Sequence, residues 1–233
     1  MDKDEFRCIH RHTIHEHPNC FFSGKVKYHI SFEDEKDFVK KTKLPWYAYP
    51  GYKIGYIDIE TVGLDADYGT MVCWAILDKH TGEIFSDKIT REDIEKNPAS
   101  PDHRIVKSLV DKMKEYKILV GYYSTRFDLP FIRTRAFANK VKGFPNFGDI
   151  YHFDLYYVVR NKFKLSRNSL ERICELLGIN GKNHIKMDYW RKAIYGDEKA
   201  INYILDHCIR DVKILEQLHD KIIFQTKHTR KSM

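Results

Sequence analysis

The stretch KIGYIDIE, residues 53–60, alternates in polarity and is rich in isoleucine, a pattern that predicts a β-strand. The two-residue period of a strand places Asp58 and Glu60 on one face and Ile57 and Ile59 on the other. Adjacent carboxylates repel each other and destabilise a sheet. An exposed edge strand tolerates such a pair, but this strand is too apolar for an edge. A bound cation therefore explains the pair better.

The segments that follow predict a mixed sheet with helices on its faces. Two further strands complete an antiparallel meander with the first, because the turn-forming sequence DKHTGE separates them. Helical and strand patterns then alternate along the chain. In order, the predicted elements are strands 53–60, 71–77 and 83–89, helix 103–116, strand 117–123, helix 129–140, strand 150–158 running into helical structure, and helix 168–178. This order predicts an α/β domain with a five-stranded sheet, first antiparallel and then parallel.

Composition restricts the class of protein. The 233 residues carry a net charge of +7, which favours a polyanionic partner, although basic soluble proteins without one are common. The longest apolar runs are too short to cross a bilayer, and no secretory signal pattern opens the chain. Cys73, Cys174 and Cys208 lie inside apolar segments, which suits reduced thiols. We expect a cytoplasmic protein without a membrane partner.

One short segment concentrates positive charge. The sequence RNKFKLSR, residues 160–167, interleaves an aromatic ring with the cations Arg160, Lys162, Lys164 and Arg167. Such a segment can contact a phosphate backbone and stack a base. A merely solvated face is the alternative interpretation.

Two more carboxylates occupy informative positions. Asp128 follows a predicted strand and begins a predicted helix, where an N-cap role would also explain it. Asp211 lies on the apolar stripe of the last helix, which consists of Ile204, Cys208, Leu215, Leu218 and Ile222. A buried carboxylate is costly unless it is paired or binds a metal. His207 stands one helical turn before Asp211, on the same face.

These residues fall into three motifs that resemble a known family. YIDIET (56–61), VGYYSTRFDLPFI (120–132) and HCIRDV (207–212) resemble the three motifs of DEDD exonucleases, the DnaQ-like members of the RNase H-like superfamily. The stretch 53–222 is most similar to the group that includes YprB-like domains and the exonuclease domains of family B polymerases. Tyr122 and Tyr123 stand where the family pattern has His-Asn. His207 stands at the four-residue spacing that the tyrosine subfamily uses for its tyrosine.

The resemblance implies an RNase H-like fold and a 3′–5′ exonuclease that uses two Mg²⁺ or Mn²⁺ ions. It implies Asp58, Glu60, Asp128 and Asp211 as metal ligands, with Asp58 bridging both ions. His207 would orient or deprotonate the attacking water, or only hydrogen-bond to its neighbours. Tyr123 and the four cations of 160–167 would bind a single-stranded DNA or RNA 3′ end. An RNase H-like endonuclease and a non-catalytic nucleic-acid-binding module are the alternatives. A proofreading role would require a protein partner in replication or repair.

The N-terminal segment is a separate prediction. Residues 8–20 hold two cysteines and four histidines, and Cys8, His10, His17 and Cys20 would suit one structural Zn²⁺. Other histidines of the segment are equally available, and a disordered arm is the alternative. We predict a Cys/His-rich appendage over 1–45, the nuclease domain over 46–225 and a basic tail over 226–233.

Overall fold

The computed structural model describes residues 53–146, 149–180 and 184–222. They form a mixed sheet flanked by helices, which confirms the predicted fold class. The strands are β1 (Ile54–Val62), β2 (Thr70–Asp78), β3 (Ile84–Lys88), β4 (Ile118–Gly121) and β5 (Tyr151–Asp154). The helices are α1 (Arg91–Lys96), α2 (His103–Met113), α3 (Asp128–Ala138), α4 (Leu155–Lys162), α5 (Leu170–Leu176), α6 (Met187–Ile194) and α7 (Glu198–Ile222).

The sheet places β1 at its centre, with the strand order β3-β2-β1-β4-β5. The pairs β3–β2 and β2–β1 are antiparallel, whereas β1–β4 and β4–β5 are parallel. Ile57 and Ile59 are buried on one face of β1, and Asp58 and Glu60 are half-buried on the other. The carboxylate pair therefore lies in an interior strand, as its apolar composition predicted.

Helix α7 covers the face of the sheet that carries the carboxylate pair. All five residues of its predicted apolar stripe are buried, and Asp211 is buried among them. Its first turn is capped by Asp197, whose Oδ1 accepts a hydrogen bond from the Ala200 amide at 2.8 Å. Because α7 packs on β1, Asp211 is brought to the interior face of the sheet.

A buried ion pair fixes α2 and α3 on the opposite face. Asp102, directly before α2, accepts hydrogen bonds from Arg135 Nε and Nη2, both at 2.7 Å. The same carboxylate accepts from Asn139 Nδ2 and from the Met71 amide, both at 3.0 Å. One side chain thus joins α2, α3 and β2. The position of α3 matters for function, because the helix begins at Asp128.

Several element boundaries differ from those predicted. Strand β4 ends at Gly121, two residues early, because the chain turns at Tyr122 and Tyr123. The predicted change from strand to helix near 150–158 occurs at Asp154, which ends β5 and caps α4. Helices α1 and α6 were not predicted. Among the described helices, none combines the length and hydropathy needed to cross a membrane.

Candidate metal centre and nucleic-acid interface

The candidate site begins at the carboxyl end of β1. A β-bulge separates the register of Glu60, which pairs with Cys73, from that of Thr61, which pairs with Met71. Bulges of this kind re-aim side chains and are common beside active sites. Since β1, β4 and β5 are parallel, the loops that follow β4 and β5 leave the same edge of the sheet.

Asp128 reaches β1 from the first position of α3. Its Oδ1 accepts a hydrogen bond from the Ile59 amide at 3.2 Å. The β1–β4 pairing ends at Tyr56, so the Ile59 amide lies beyond the hydrogen bonds to β4. The Asp128 side chain supplies the acceptor that this amide would otherwise lack. The residue before Asp128, Phe127, holds the N-cap position. An N-cap role therefore does not account for Asp128. Its carboxylate instead contacts the backbone of β1 at Ile59, the residue between Asp58 and Glu60.

Burial perturbs the Asp128 carboxyl. Removal from water raises the pKa of Asp128 to about 7, and the negative charges of Glu60 and Asp154 act in the same direction against the backbone hydrogen bonds that lower it. A carboxylate in this environment gains from a nearby cation, because the cation favours its ionised form.

Helix α7 brings two more groups to the same place. His207 Nδ1 lies 3.2 Å from Glu60 Oε1 and 3.9 Å from Asp211 Oδ2. The Cys208 thiol donates a hydrogen bond to the Asp58 carbonyl oxygen at 3.3 Å, and this bond joins α7 directly to β1. One ligand atom each from Glu60, His207 and Asp211 lie within 4.8 Å of one another.

Asp154 holds the loop that connects β4 to α3. Its Oδ1 accepts from the amides of Tyr123 at 2.8 Å and Tyr156 at 3.0 Å, and its Oδ2 accepts from the Thr125 amide at 2.9 Å. Tyr123 has a φ of 60°, the left-handed region that non-glycine residues seldom adopt. The Asp154 carboxylate therefore stabilises an unfavourable turn that precedes Asp128.

A second contact joins the same loop to β5. The Ser124 hydroxyl lies 2.9 Å from His152 Nε2, and burial lowers the pKa of His152 to about 4. A Cβ atom at Gly121 would lie 2.2 Å from Ser124 Oγ, so only glycine fits there. Ser124 and His152 were not predicted as functional residues, because no local sequence pattern indicates their contact.

Aromatic and basic side chains lie beside this loop. The Tyr123 ring is 45% exposed and packs edge-on against Tyr156, with ring centroids 4.8 Å apart. The Tyr122 hydroxyl donates to the Asn168 carbonyl oxygen at 2.8 Å, which joins the loop to the basic segment 160–167. The cations Arg160, Lys162, Lys164 and Arg167 are all exposed. The exposed ring and the basic segment are thus structurally connected.

The structure therefore groups the ligand atoms of Glu60, His207 and Asp211, and it places Asp128 against the β1 backbone between Asp58 and Glu60. Asp58 and Asp128 are not part of that three-residue group. The donor set is dominated by carboxylate oxygens, which suit hard divalent ions such as Mg²⁺ and Mn²⁺. Half-buried and buried carboxylates that lie close together repel one another when they are ionised, and a bound divalent ion would offset that repulsion. The predicted zinc ligands Cys8, His10, His17 and Cys20 lie outside the described residues, as do the basic tail and the whole N-terminal appendage over 1–45.

Comparison with known proteins agrees with the fold. The family model of the RNase H superfamily matches residues 55–223. A DNA polymerase of Methanocaldococcus jannaschii is 27% identical in an alignment that covers 54% of this chain and 9% of that protein. The structure of the family B DNA polymerase from Pyrobaculum calidifontis superposes with a TM-score of 0.60 at 22% identity, over 75% of this chain and 25% of that chain. The chain thus spans only a small part of each polymerase.

Proposed function

Given that this chain belongs to the RNase H superfamily, we propose that it is a metal-dependent nuclease, specifically a 3′–5′ exonuclease. The observation that carries the proposal is the meeting of carboxylates from three separate motifs at the end of β1. Asp128 bonds to the backbone between Asp58 and Glu60, and Asp211 on α7 lies with His207 beside Glu60. Separate motifs would not converge on an interior strand without a common ligand, because buried carboxylates destabilise each other.

In the proposed site, Asp58, Glu60, Asp128 and Asp211 hold two divalent ions. The ions would supply positive charge beside the attacking water and the leaving oxygen of the phosphodiester. His207 belongs to the same set, since its Nδ1 lies 3.2 Å from Glu60 Oε1. Asp154 positions the loop before Asp128 through three amide hydrogen bonds. A preorganised set of ligands needs such support, because small displacements of reacting groups cost large factors in rate.

The substrate in this proposal is a single-stranded 3′ end. Tyr123 presents an exposed ring at the same edge of the sheet, where it can stack on a base. The exposed cations of 160–167 adjoin this loop through the contact between Tyr122 and Asn168, and they can contact backbone phosphates. The motif order resembles that of DEDD exonucleases, which favours removal of terminal nucleotides over internal cleavage.

The test uses the full chain with single-stranded DNA and RNA oligonucleotides labelled at the 5′ end, in Mg²⁺ or Mn²⁺. A 3′–5′ exonuclease shortens the labelled strand stepwise, leaves a circular single strand intact and loses its activity in Asp58→Ala. Asp67→Ala is the matched control, because Asp67 is an exposed aspartate in the β1–β2 loop. Cleavage of the circle would indicate an endonuclease. Strand binding without cleavage, or full activity in Asp58→Ala, would refute the proposed reaction.

A further inference from the structure

His207 lies among the atoms that would bind an ion. Its Nδ1 is 3.2 Å from Glu60 Oε1 and 3.9 Å from Asp211 Oδ2, and the three residues can each offer one ligand atom within 4.8 Å of the others. Two atoms that bind one ion at about 2.1 Å are about 3.0 Å apart at right angles and about 4.2 Å apart on opposite sides. The observed separations fall within this range. His207 is thus placed as a ligand would be.

Nδ1 is the His207 ring nitrogen that faces the carboxylates. His207 and Asp211 are one turn apart on the buried side of α7, and they are 5% and 3% exposed. Nδ1 is the nitrogen next to the Cγ atom, so it extends no farther from the backbone than a carboxylate oxygen of aspartate. It is this inner nitrogen that lies beside Glu60 and Asp211. The His207 ring therefore substitutes for a third carboxylate in position, with a nitrogen donor in place of an oxygen donor.

The donor type determines which metals are favoured. Mg²⁺ prefers oxygen ligands in a nearly ideal octahedron and binds imidazole poorly. Imidazole suits first-row transition ions such as Fe²⁺ and Zn²⁺, whereas Mn²⁺, which begins that series of affinities, also shares the preference of Mg²⁺ for carboxylate oxygens. A set of two carboxylates and one imidazole is therefore better matched to a transition ion than to Mg²⁺.

We propose that His207 Nδ1 is a direct ligand of one of the ions, and that it makes this site selective for a first-row transition ion over Mg²⁺. The inference rests on the proposed metal centre and specifies its ligand set and its metal. The competing role for His207 is a hydrogen bond from Nδ1 to Glu60 Oε1 without coordination. The two roles differ in whether a nitrogen is bonded to the metal, which spectroscopy detects directly.

The test is Mn²⁺ binding to the full chain, measured without substrate. Pulsed electron paramagnetic resonance of bound Mn²⁺ should show ¹⁴N coupling that disappears in His207→Phe and in His207→Asn. Calorimetric titration should show that His207→Phe weakens Mn²⁺ binding by at least about tenfold, the loss that removal of even an outer-shell partner causes, and weakens Mg²⁺ binding much less. His207→Asn places an amide oxygen where Nδ1 lies, so it should recover part of the affinity while narrowing the preference for Mn²⁺ over Mg²⁺. The exposed His103 provides the control variant His103→Gln, which should retain the coupling.

The outcomes separate this inference from the proposed function. If wild type and both His207 variants give the same ¹⁴N coupling, then His207 is not a ligand. If His207→Phe lowers the affinities for Mn²⁺ and Mg²⁺ equally, then His207 does not set the metal preference and the proposed selectivity is wrong. The nuclease proposal would survive that result, provided that Asp58→Ala abolishes cleavage. If Mn²⁺ does not bind to the wild type at all, both the ligand assignment and the metal centre are wrong.

Discussion

Substitution of Asp102 by alanine should lower the free energy of unfolding by about 3–5 kcal/mol, because it leaves a buried guanidinium without its counter-ion. Asp102 is 0% exposed and Arg135 is 5% exposed, so water replaces little of the lost interaction. The carboxylate also accepts hydrogen bonds from Asn139 and from the Met71 amide, and both donors would lose their acceptor. The expected loss in free energy of unfolding is therefore larger than that for one broken hydrogen bond, because several buried donors lose their acceptor together.

The measurement is urea denaturation at pH 7, followed by circular dichroism, with the dependence on urea concentration compared between variants. The control is Glu95→Ala, which removes the exposed ion pair between Arg91 and Glu95 on α1. Exposed pairs of this kind contribute about 0.5 kcal/mol or less, so the control should unfold like wild type. The double variant Asp102→Leu/Arg135→Met should be less destabilised than Asp102→Ala, because no charge is left buried.

A loss below about 1 kcal/mol in Asp102→Ala would refute this reasoning, since it would mean that Arg135 finds solvent or another partner. A double variant as unstable as the sum of its single variants would also contradict it, because the two side chains would then act independently. In either case α3 would be held by its apolar contacts alone.

Three further predictions concern the loop, the pH dependence and the basic segment. Asp154→Ala should lower the free energy of unfolding by about 2–4 kcal/mol, and should reduce nuclease activity even at temperatures where the variant is folded. As the pH is lowered from 6.5 to 4, the free energy of unfolding should fall more steeply for wild type than for His219→Phe. The difference in slope should be up to about 1.4 kcal/mol per pH unit. The double charge reversal Lys164→Glu/Arg167→Glu should weaken single-strand binding and reduce the salt slope by roughly 0.7 per lost phosphate contact.

The sign of the pH effect follows from the environment of His219. Burial lowers the pKa of His219 to about 4, below its ordinary value of 6.5, so folding favours the neutral ring. Lys79 Nζ donates to the Tyr56 hydroxyl oxygen, which directs the hydroxyl proton towards His219 Nδ1 at 2.9 Å. The contribution is thus complete above pH 6.5 and is lost as the pH falls towards 4. Equal pH profiles for wild type and His219→Phe would contradict it.

Controls are available for the other two predictions. Asp154→Asn keeps one acceptor oxygen and should be less destabilised than Asp154→Ala; equal losses would mean that the amide hydrogen bonds contribute little. For the basic segment, the control is the double charge reversal Arg91→Glu/Lys96→Glu on α1. It changes the net charge by the same amount as Lys164→Glu/Arg167→Glu, at two other exposed positions. If both double reversals change the salt slope alike, the basic segment has no special contact with the strand.

Local chemistry in the sequence was enough to predict the sheet, most helices and the position of the carboxylate pair. The alternation of β1 and the apolar stripe of α7 report burial directly, since each side chain lies on a face set by its own backbone period. The interior position of β1 followed from its composition. Helices α1 and α6 were missed because they bury almost nothing: α1 has no buried residue and α6 only Ala193, so neither carries a buried apolar stripe like that of α7.

Tertiary structure alone decided which distant groups meet. His207 contacts Glu60 across 147 residues of chain, and Arg135 pairs with Asp102 across 33. Neither contact has a local signal, because a pairing between separate elements depends on how they cross and on the rotamers that packing allows. Backbone periodicity was enough to predict that carboxylates and a histidine lie on buried faces. The crossing of α7 over β1 placed the inner nitrogen of His207 among the carboxylate oxygens.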